Sequence, residues 1–352
     1  MTRLEVRSVG GSYPVIIEAD ASGRVAELIP GGGGVEKTLI VADANTASLF
    51  AADLVRSSPD AQLFTVEPGE ASKDAATLTA LWRFLASNGF HRGDQIIAVG
   101  GGVVTDLAGF AAATFHRGIR WIAMPTTLLG MVDAAIGGKT AIDIPEGKNL
   151  AGAFHPPAAV VCDPGLLLSL PDRELRTGLA EVIKHGFIGP PGLLESILAR
   201  LDDAIGKDLE TLTSLVVDAV AVKVEVVSED ETERGRRAHL NYGHTLAHAI
   251  EAVAGYSGLS HGEAVSVGSV FAARLARRLG ISDLVDLHLE AFRAAGLPVE
   301  PPKLDVPALM EAMSRDKKYD RGLRFVLLAA VGDPRVMPVE TDAVRSELQG
   351  WR

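Results

Sequence analysis

Residues 96–106 read Ile96-Ile97-Ala98-Val99-Gly100-Gly101-Gly102-Val103-Val104-Thr105-Asp106. A short apolar run of the kind that fills a buried strand ends in three glycines, and a helical pattern follows. Glycine lets the backbone approach a phosphate closely, and a helix N-terminus supplies free N–H donors. Strand, glycine turn and helix are the repeating unit of a parallel sheet, which binds nucleotides beyond its strand C-termini. The spacing is not the G-x-G-x-x-G fingerprint, so a tight structural turn explains the glycines equally well.

The same alternation extends outward from this stretch. Pro14–Ala19, Thr38–Ala42, Phe64–Val66 and Trp121–Met124 are strand-type runs. Asp74–Ser87 has apolar residues at three- and four-residue spacing, with Ser72 the expected N-cap. Beyond residue 170 helical patterns take over, at 172–187, 208–229, 240–254, 262–279 and 283–295, with one late strand at Leu323–Ala329. The expected architecture is α/β: a parallel-sheet domain over 1–165 and a helical domain over 166–352, joined near Pro156–Pro164. Two domains also suit a chain of 352 residues.

Composition narrows the function classes. With 47% hydrophobic and 22% charged residues, the chain is of ordinary globular type. A net charge of −11 excludes a non-specific nucleic-acid binder, which needs a basic surface. Any anionic ligand must meet local basic clusters instead. Cys162 is the single cysteine, so neither an internal disulfide nor a cysteine-rich zinc site is available, and a small buried apolar role is expected. The start, MTRLEVRSVGG, has no apolar leader core, and the apolar stretch Pro125–Ile136 is broken by Asp133. The cytoplasm is the expected compartment. Gly31–Gly34 reads as a plain loop.

Several segments place chemistry-bearing residues together. Asp43 and Asn45 end one strand and Glu70 and Lys73 follow another, where they reach a ribose or lie on a solvated loop. The apolar segment from Asp133 to Thr140, with Gly147-Lys148-Asn149, carries Lys139 and Lys148. Lysines in apolar surroundings face an anion, unless the loop is simply solvated. Glu181 and Lys184 share a face of a helix that is apolar nearly all round. That is an ordinary ion pair, or a buried carboxylate needing a cation such as a metal. Four of nine histidines (239, 244, 248 and 261) fall close together, with Glu263 near the last. Histidines and a carboxylate from separate helices suit an open catalytic zinc site, though spacing does not decide which of them bind. His91, His155 and His288 read as ordinary. Lys223 and Arg237, with Glu233 between, offer pairing to a carboxylate or phosphate; Arg234 and Arg236 read as solvated charge. Asp316-Lys317-Lys318 alone is a surface charge run.

Together these segments closely resemble the 3-dehydroquinate synthase family. The matching stretches are GGGVVTDLAGFAAATFHRG, PTTLLGMVDAAIGGKTAIDIPEGKNLAGAF, GLAEVIKHG, VKVEVVSEDE, LNYGHTLAHAIE, HGEAVSVG and the DKK run, spanning about residues 95–318. The resemblance implies a Rossmann-like NAD-binding domain, an all-helical metal- and substrate-binding domain, and a homodimer. It sets NAD against Asp43, Asn45, Glu70, Lys73, Gly101, Gly102, Asp106, Thr126, Thr127, Leu129, Lys139, Lys148, Ser169, Leu170 and Glu174. It gives zinc, or cobalt in its place, to Glu181, His244 and His261. His248 is then a catalytic group rather than a ligand, with Glu233 also among the catalytic residues. Asp133, Lys184 and Asn241 hold ring hydroxyls, and Lys223 and Arg237 the carboxylate. Lys139, Asn149, Lys317 or Lys318, and Arg117 from the neighbouring subunit take the phosphate.

The implied reaction is that of the shikimate pathway: 3-deoxy-D-arabino-heptulosonate 7-phosphate (DAHP) becomes 3-dehydroquinate and phosphate, with NAD reduced and reoxidised within one turnover. Departures from the family pattern are Ala247 for a frequent glycine, Thr105 for a smaller residue and Arg236 at a usually apolar position; none removes a functional group. The competing readings are another sugar phosphate cyclase (an aminodehydroquinate, valiolone-type or deoxyinosose synthase), a metal-dependent polyol dehydrogenase and a non-catalytic NAD-binding scaffold. The valiolone and deoxyinosose enzymes act on substrates without a carboxylate and should not need both Lys223 and Arg237. The dehydrogenase has no use for two anion sites, and a scaffold gains nothing from buried charge.

Overall fold

The apolar runs of the N-terminal half pair into one seven-stranded sheet in the computed structural model, which describes residues 1–8, 11–28, 35–57, 60–233, 235–255, 258–303, 305–315 and 323–351. The strands in chain order are β1 (Thr2–Ser8), β2 (Gly11–Ile17), β3 (Thr38–Asp43), β4 (Ala61–Val66), β5 (Gln95–Gly100), β6 (Arg120–Pro125), β7 (Lys139–Ile144), β8 (Gly147–Phe154) and β9 (Ala159–Cys162). The sheet order is β1-β2-β9-β6-β5-β3-β4; only the β1–β2 pair is antiparallel. Central strands are buried along nearly their whole length, as a sheet covered on both faces requires.

The order changes direction between β3 and β5. From β3 the chain moves outward to β4, then returns to build β5, β6 and β9 on the other side. Ligands of open α/β sheets sit at such a switch point, beyond the strand C-termini. Here those ends are Asp43 and Gly100, and Thr46 ties them by donating its hydroxyl to the Val99 carbonyl at 2.9 Å. The helix Gly102–Thr114 springs from the glycine turn. The turn's first glycine answers a shortage of space: a Cβ on Gly100 would lie 2.5 Å from Val104.

Strand positions agree with the sequence pattern to within a few residues. Two differences have clear causes. The N-cap of helix Ala75–Ser87 is Asp74, whose carboxylate accepts from Thr77 N–H at 2.8 Å; Ser72 instead donates to the Gly69 carbonyl. The segment after Asp133 is not a loop. β7 and β8 form an antiparallel hairpin, Lys139 opposite Phe154, whose mixed apolar and charged sequence hides the alternation.

Two compact units emerge: Met1–Leu170 with Leu212–Thr232, and Pro171–Thr211 with Glu233–Arg352. A single boundary at 165/166 misses this return of the chain. Nearly all of helix Leu209–Glu229 belongs with the first unit, where Ser228 accepts from Arg7 N–H at 3.0 Å.

The second unit is helical with one hairpin, β10 (Leu323–Ala330) against β11 (Asp333–Val339). Its helices include Asp172–Ile188, His244–Val253 and His261–Arg278. Glycines let these three approach closely. A Cβ on Gly268 would lie 2.0 Å from the Gly243 carbonyl oxygen, and one on Gly262 would lie 2.1 Å from that of Thr177. No helix among the described residues is long and apolar enough to cross a membrane.

Candidate active site

In the first unit, Lys73 organises the charged residues near the switch point. It is 3% exposed. Its ammonium lies 3.0 Å from Glu70, 3.1 Å from Asp106 and 3.7 Å from Asp143, and donates to Asn149 Oδ1 at 2.7 Å. Lys148 stands 3.6 Å from Glu70. Burial pushes Asp106 up to about 6, although Lys73 opposes the shift. Burial alone would lower Lys73, but Asp106 and Glu70 outweigh it and raise the ammonium above its ordinary value. Asn149, which the resemblance assigns to phosphate, thus sits with the residues it assigns to NAD. It holds a left-handed backbone (φ 55°), with its N–H donating to Asp143. Asp143 is a further member of this group, half-buried in β7 and distant in sequence from Lys73.

Some of the other cofactor candidates of this unit lie at the same strand ends, and the rest lie elsewhere in it. Asp43 caps the turn after β3, accepting from Asn45 and Thr46 N–H at 2.9 Å each. Thr126 is buried just after β6, its N–H donating to the Gly100 carbonyl. Thr127 accepts from Gly130 N–H and approaches Gly101, the residue that caps the Gly102 helix. Leu129 is half-buried, directly before the turn Gly130–Ala134. Ser169 ends the short helix Pro164–Ser169 and Leu170 caps it, away from the glycines in sequence. Lys139 is exposed at the start of β7. Asp133 pairs with Lys223 at 2.5 Å, joining two residues 90 positions apart.

Arg117 occupies an exposed turn that is sterically costly. His116, Arg117 and Gly118 have φ of 50°, 65° and 121°. Non-glycine residues rarely take such values. The turn is braced by Arg92, which donates to the His116 carbonyl, and by the His155 ring on the Ile119 carbonyl.

In the second unit Glu181 is fully buried, an ion pair with Lys184 one helical turn on. Its Oε1 accepts no hydrogen bond among the described residues. It faces His244 Nε2 at 3.6 Å and His261 Nε2 at 3.8 Å. One ligand atom from each of the three lies within 4.8 Å of the others. Ligands of tetrahedral zinc, with bonds of ~2.0–2.1 Å, stand roughly 3.3 Å apart, so small side-chain adjustments would close this set on an ion.

The tautomers agree with this fit. His244 Nδ1 lies 3.0 Å from the Tyr242 carbonyl, which only accepts; Nδ1 therefore carries the proton and Nε2 offers its lone pair. Burial, reinforced by Lys184, keeps His244 neutral by holding its pKa well below the usual value. His261 Nδ1 faces Glu251 Oε1 at 3.4 Å. His248 is exposed on the same helix as His244, its ring 5.3 Å from that of His244 and 6.3 Å from that of His261.

Asn241 donates to Glu233 Oε1 at 2.5 Å, and Glu233 holds a left-handed backbone (φ 60°). Arg237 is 2% exposed, while Arg236 beside it faces solvent. Glu174 is exposed in the first turn of the Glu181 helix. Lys317 and Lys318 lie outside the described residues. His288, unremarkable in sequence, is fully buried: its ring stacks on Phe187 and bonds the Tyr242 hydroxyl at 2.7 Å, with burial lowering its pKa to about 4.

The chain is similar to known proteins. A family model described as 3-dehydroquinate synthase N-terminal covers residues 63–177, and one described as 3-dehydroquinate synthase C-terminal covers 178–319. The chain belongs to the 3-dehydroquinate synthase family. A curated 3-dehydroquinate synthase of Pseudarthrobacter chlorophenolicus is 46% identical over 341 residues, covering 94% of this chain and 92% of the relative. Among solved structures, a 2-deoxy-scyllo-inosose synthase complexed with carbaglucose-6-phosphate, NAD+ and Co2+ superposes with a TM-score of 0.91 at 26% identity, over 100% of both chains. A 2-epi-5-epi-valiolone synthase from Streptomyces hygroscopicus with NAD+ and Zn2+ bound gives 0.87 at 26% identity, over 99% of this chain and 98% of that one. Membership of the 3-dehydroquinate synthase family thus agrees with an enzyme that has a parallel-sheet unit and a helical unit carrying a carboxylate–bis-histidine set.

Proposed function

We propose that this chain converts DAHP into 3-dehydroquinate and inorganic phosphate, using NAD and one divalent ion, zinc before cobalt, held by Glu181, His244 and His261. The observation that carries it is the family match across 63–319, with two His Nε2 atoms aimed at the buried Glu181. Curated relatives in the mid-forties of percent identity bear this name, whereas the cyclases with other names among the solved structures stand at 26%. The two structural relatives are NAD+ complexes with Co2+ or Zn2+, which supports the same cofactors here.

When bound, the ion would polarise the C5 hydroxyl, and NAD would accept hydride at C5 and later return it. The chain's own residues supply the rest. In the first unit, the Lys73 group and the turn after Gly100 hold the dinucleotide. Asp133 accepts from a ring hydroxyl, Lys223 beside it offers its charge to the substrate carboxylate, and Lys139 pairs with phosphate oxygen. In the second unit, Lys184 and Asn241 fix hydroxyl positions and Arg237 takes the substrate carboxylate. The C6 proton leaves as the C–O bond to phosphate breaks; the substrate's phosphate oxygen receives it, assisted by His248, while Glu233 holds Asn241.

We take the protein to be a cytoplasmic homodimer in which the strained turn presents Arg117 to the neighbouring subunit's phosphate. Following phosphate release from DAHP while monitoring NADH absorbance tests the function. Many turnovers of phosphate without NADH accumulation are expected. Steady NADH build-up on a simple polyol, with no phosphate released, would move the chain to the dehydrogenases.

Arg237→Ala should raise KM for DAHP roughly 30- to 150-fold, the loss of about 2–3 kcal/mol from one charge-assisted contact. A steady-state KM equal to that of the unmodified enzyme would remove Arg237 from the carboxylate site.

A further inference from the structure

The helix His244–Val253 presents three polar residues on one face. His244, His248 and Glu251 follow at intervals of four and three, the spacing that stacks side chains along a helix. The first two belong to the proposed metal and catalytic set. Glu251 belongs to neither and is nearly as buried as His244, its side chain 11% exposed against 10%.

Its carboxylate reaches across to the next helix, Oε1 lying 3.4 Å from His261 Nδ1. His261 directs its other nitrogen, Nε2, at Glu181. The His261 ring therefore faces the Glu251 carboxylate with one nitrogen and Glu181 with the other. The two histidines are held differently. His244 rests on a main-chain carbonyl two residues away and is nearly enclosed. His261 begins its helix and is 29% exposed, so its ring is the less enclosed of the two and gains more from a carboxylate held against Nδ1.

We infer that Glu251 is a positioning residue for His261: it keeps the proton on Nδ1, sets the ring plane and strengthens Nε2 as a donor to the metal. Outer carboxylates act in this way on imidazole ligands, and removing one weakens metal binding by roughly 10- to 100-fold. The inference rests on the proposed ligand set of Glu181, His244 and His261.

The test is competitive titration of metal-stripped, full-length protein with Zn2+ against a chromophoric chelator, together with the visible spectrum of the Co2+-loaded form. Unmodified protein, His261→Ala, Glu251→Gln and Glu251→Ala are compared. One ion per unmodified chain and a lost site in His261→Ala are expected. Glu251→Ala should bind Zn2+ 10- to 100-fold more weakly, with Glu251→Gln intermediate, and both should shift the Co2+ bands while the metal-free melting temperature of Glu251→Gln stays put. Should Glu251→Ala fail to fold, the isosteric Glu251→Gln decides alone. Two Glu251 variants that bind within twofold of the unmodified chain, with His261→Ala still deficient, would overturn the role of Glu251 and leave the ligand set standing. An unmodified chain that takes up no stoichiometric ion would overturn both.

Discussion

Lys73→Met is expected to cost about 3 kcal/mol of stability at pH 7, read as a fall in the urea midpoint at unchanged slope. Lys73 lies among Glu70, Asp106 and Asp143 and is the most buried member of the group. Removing one partner from a buried ionic cluster costs about 3–5 kcal/mol, and the lower end applies because Glu70 is over a third exposed. Methionine keeps most of the volume, so the loss reports charge. The deficit should shrink on acidification. Asp106 already titrates at about 6, above the ordinary 3.8, so between those values the folded state holds more protons than the unfolded one. Its ionisation therefore detracts from stability as pH rises through that window, and losing Lys73 widens the window upward. A variant as stable as the parent at pH 7, or one that weakens further toward pH 5, would show that Lys73 does not neutralise this group.

Gly243→Ala should be comparably damaging and should take the metal site with it. Gly243 precedes His244 with φ of 79°, where a Cβ costs about 1–2 kcal/mol. The added carbon would also lie 2.4 Å from Ser269 Oγ and 2.9 Å from the Val265 carbonyl oxygen. Overpacking of this kind adds about 1–3 kcal/mol. Relief requires moving helix His244–Val253 away from His261–Arg278, and those helices carry two of the three proposed ligands. Thermal melting with metal analysis of the purified variant checks both effects. A melting temperature and metal content equal to the parent's would mean that the helix crossing tolerates a side chain.

Most of the architecture was legible because the relevant signals are local. Apolar runs such as Ile96–Val99 and Trp121–Met124 declare buried strands, and the period of 172–187 declares a helix. The histidine cluster was visible as composition, and Glu181 with Lys184 as charge in an apolar frame. What stayed hidden depends on contacts distant in sequence. Nothing near Asp133 announces Lys223, and nothing near Asn149 announces Lys73. The β7–β8 hairpin was obscured because its lysines and glycines mimic a loop. Ser72 lost the cap to Asp74 because residue types at caps are interchangeable, whereas geometry is not. Glu251 was in principle readable, one turn beyond His248 on the same face, but its partner His261 lies on another helix. The proposed phosphate lysines 317 and 318 lie outside the described residues.

The return of Leu212–Thr232 to the first unit has a consequence for biosynthesis. A ribosome that has finished residue 170 has not yet delivered everything the first unit contains. It must translate roughly sixty more residues, a delay of about 3–12 s at typical elongation rates of about 5–20 residues per second. During that interval the sheet waits without the helix that bears Lys223, and the start of the other half is emerging. The two halves are thus interleaved in time, and a gene fragment cut at residue 165 would encode a nascent sheet lacking a piece of its own fold.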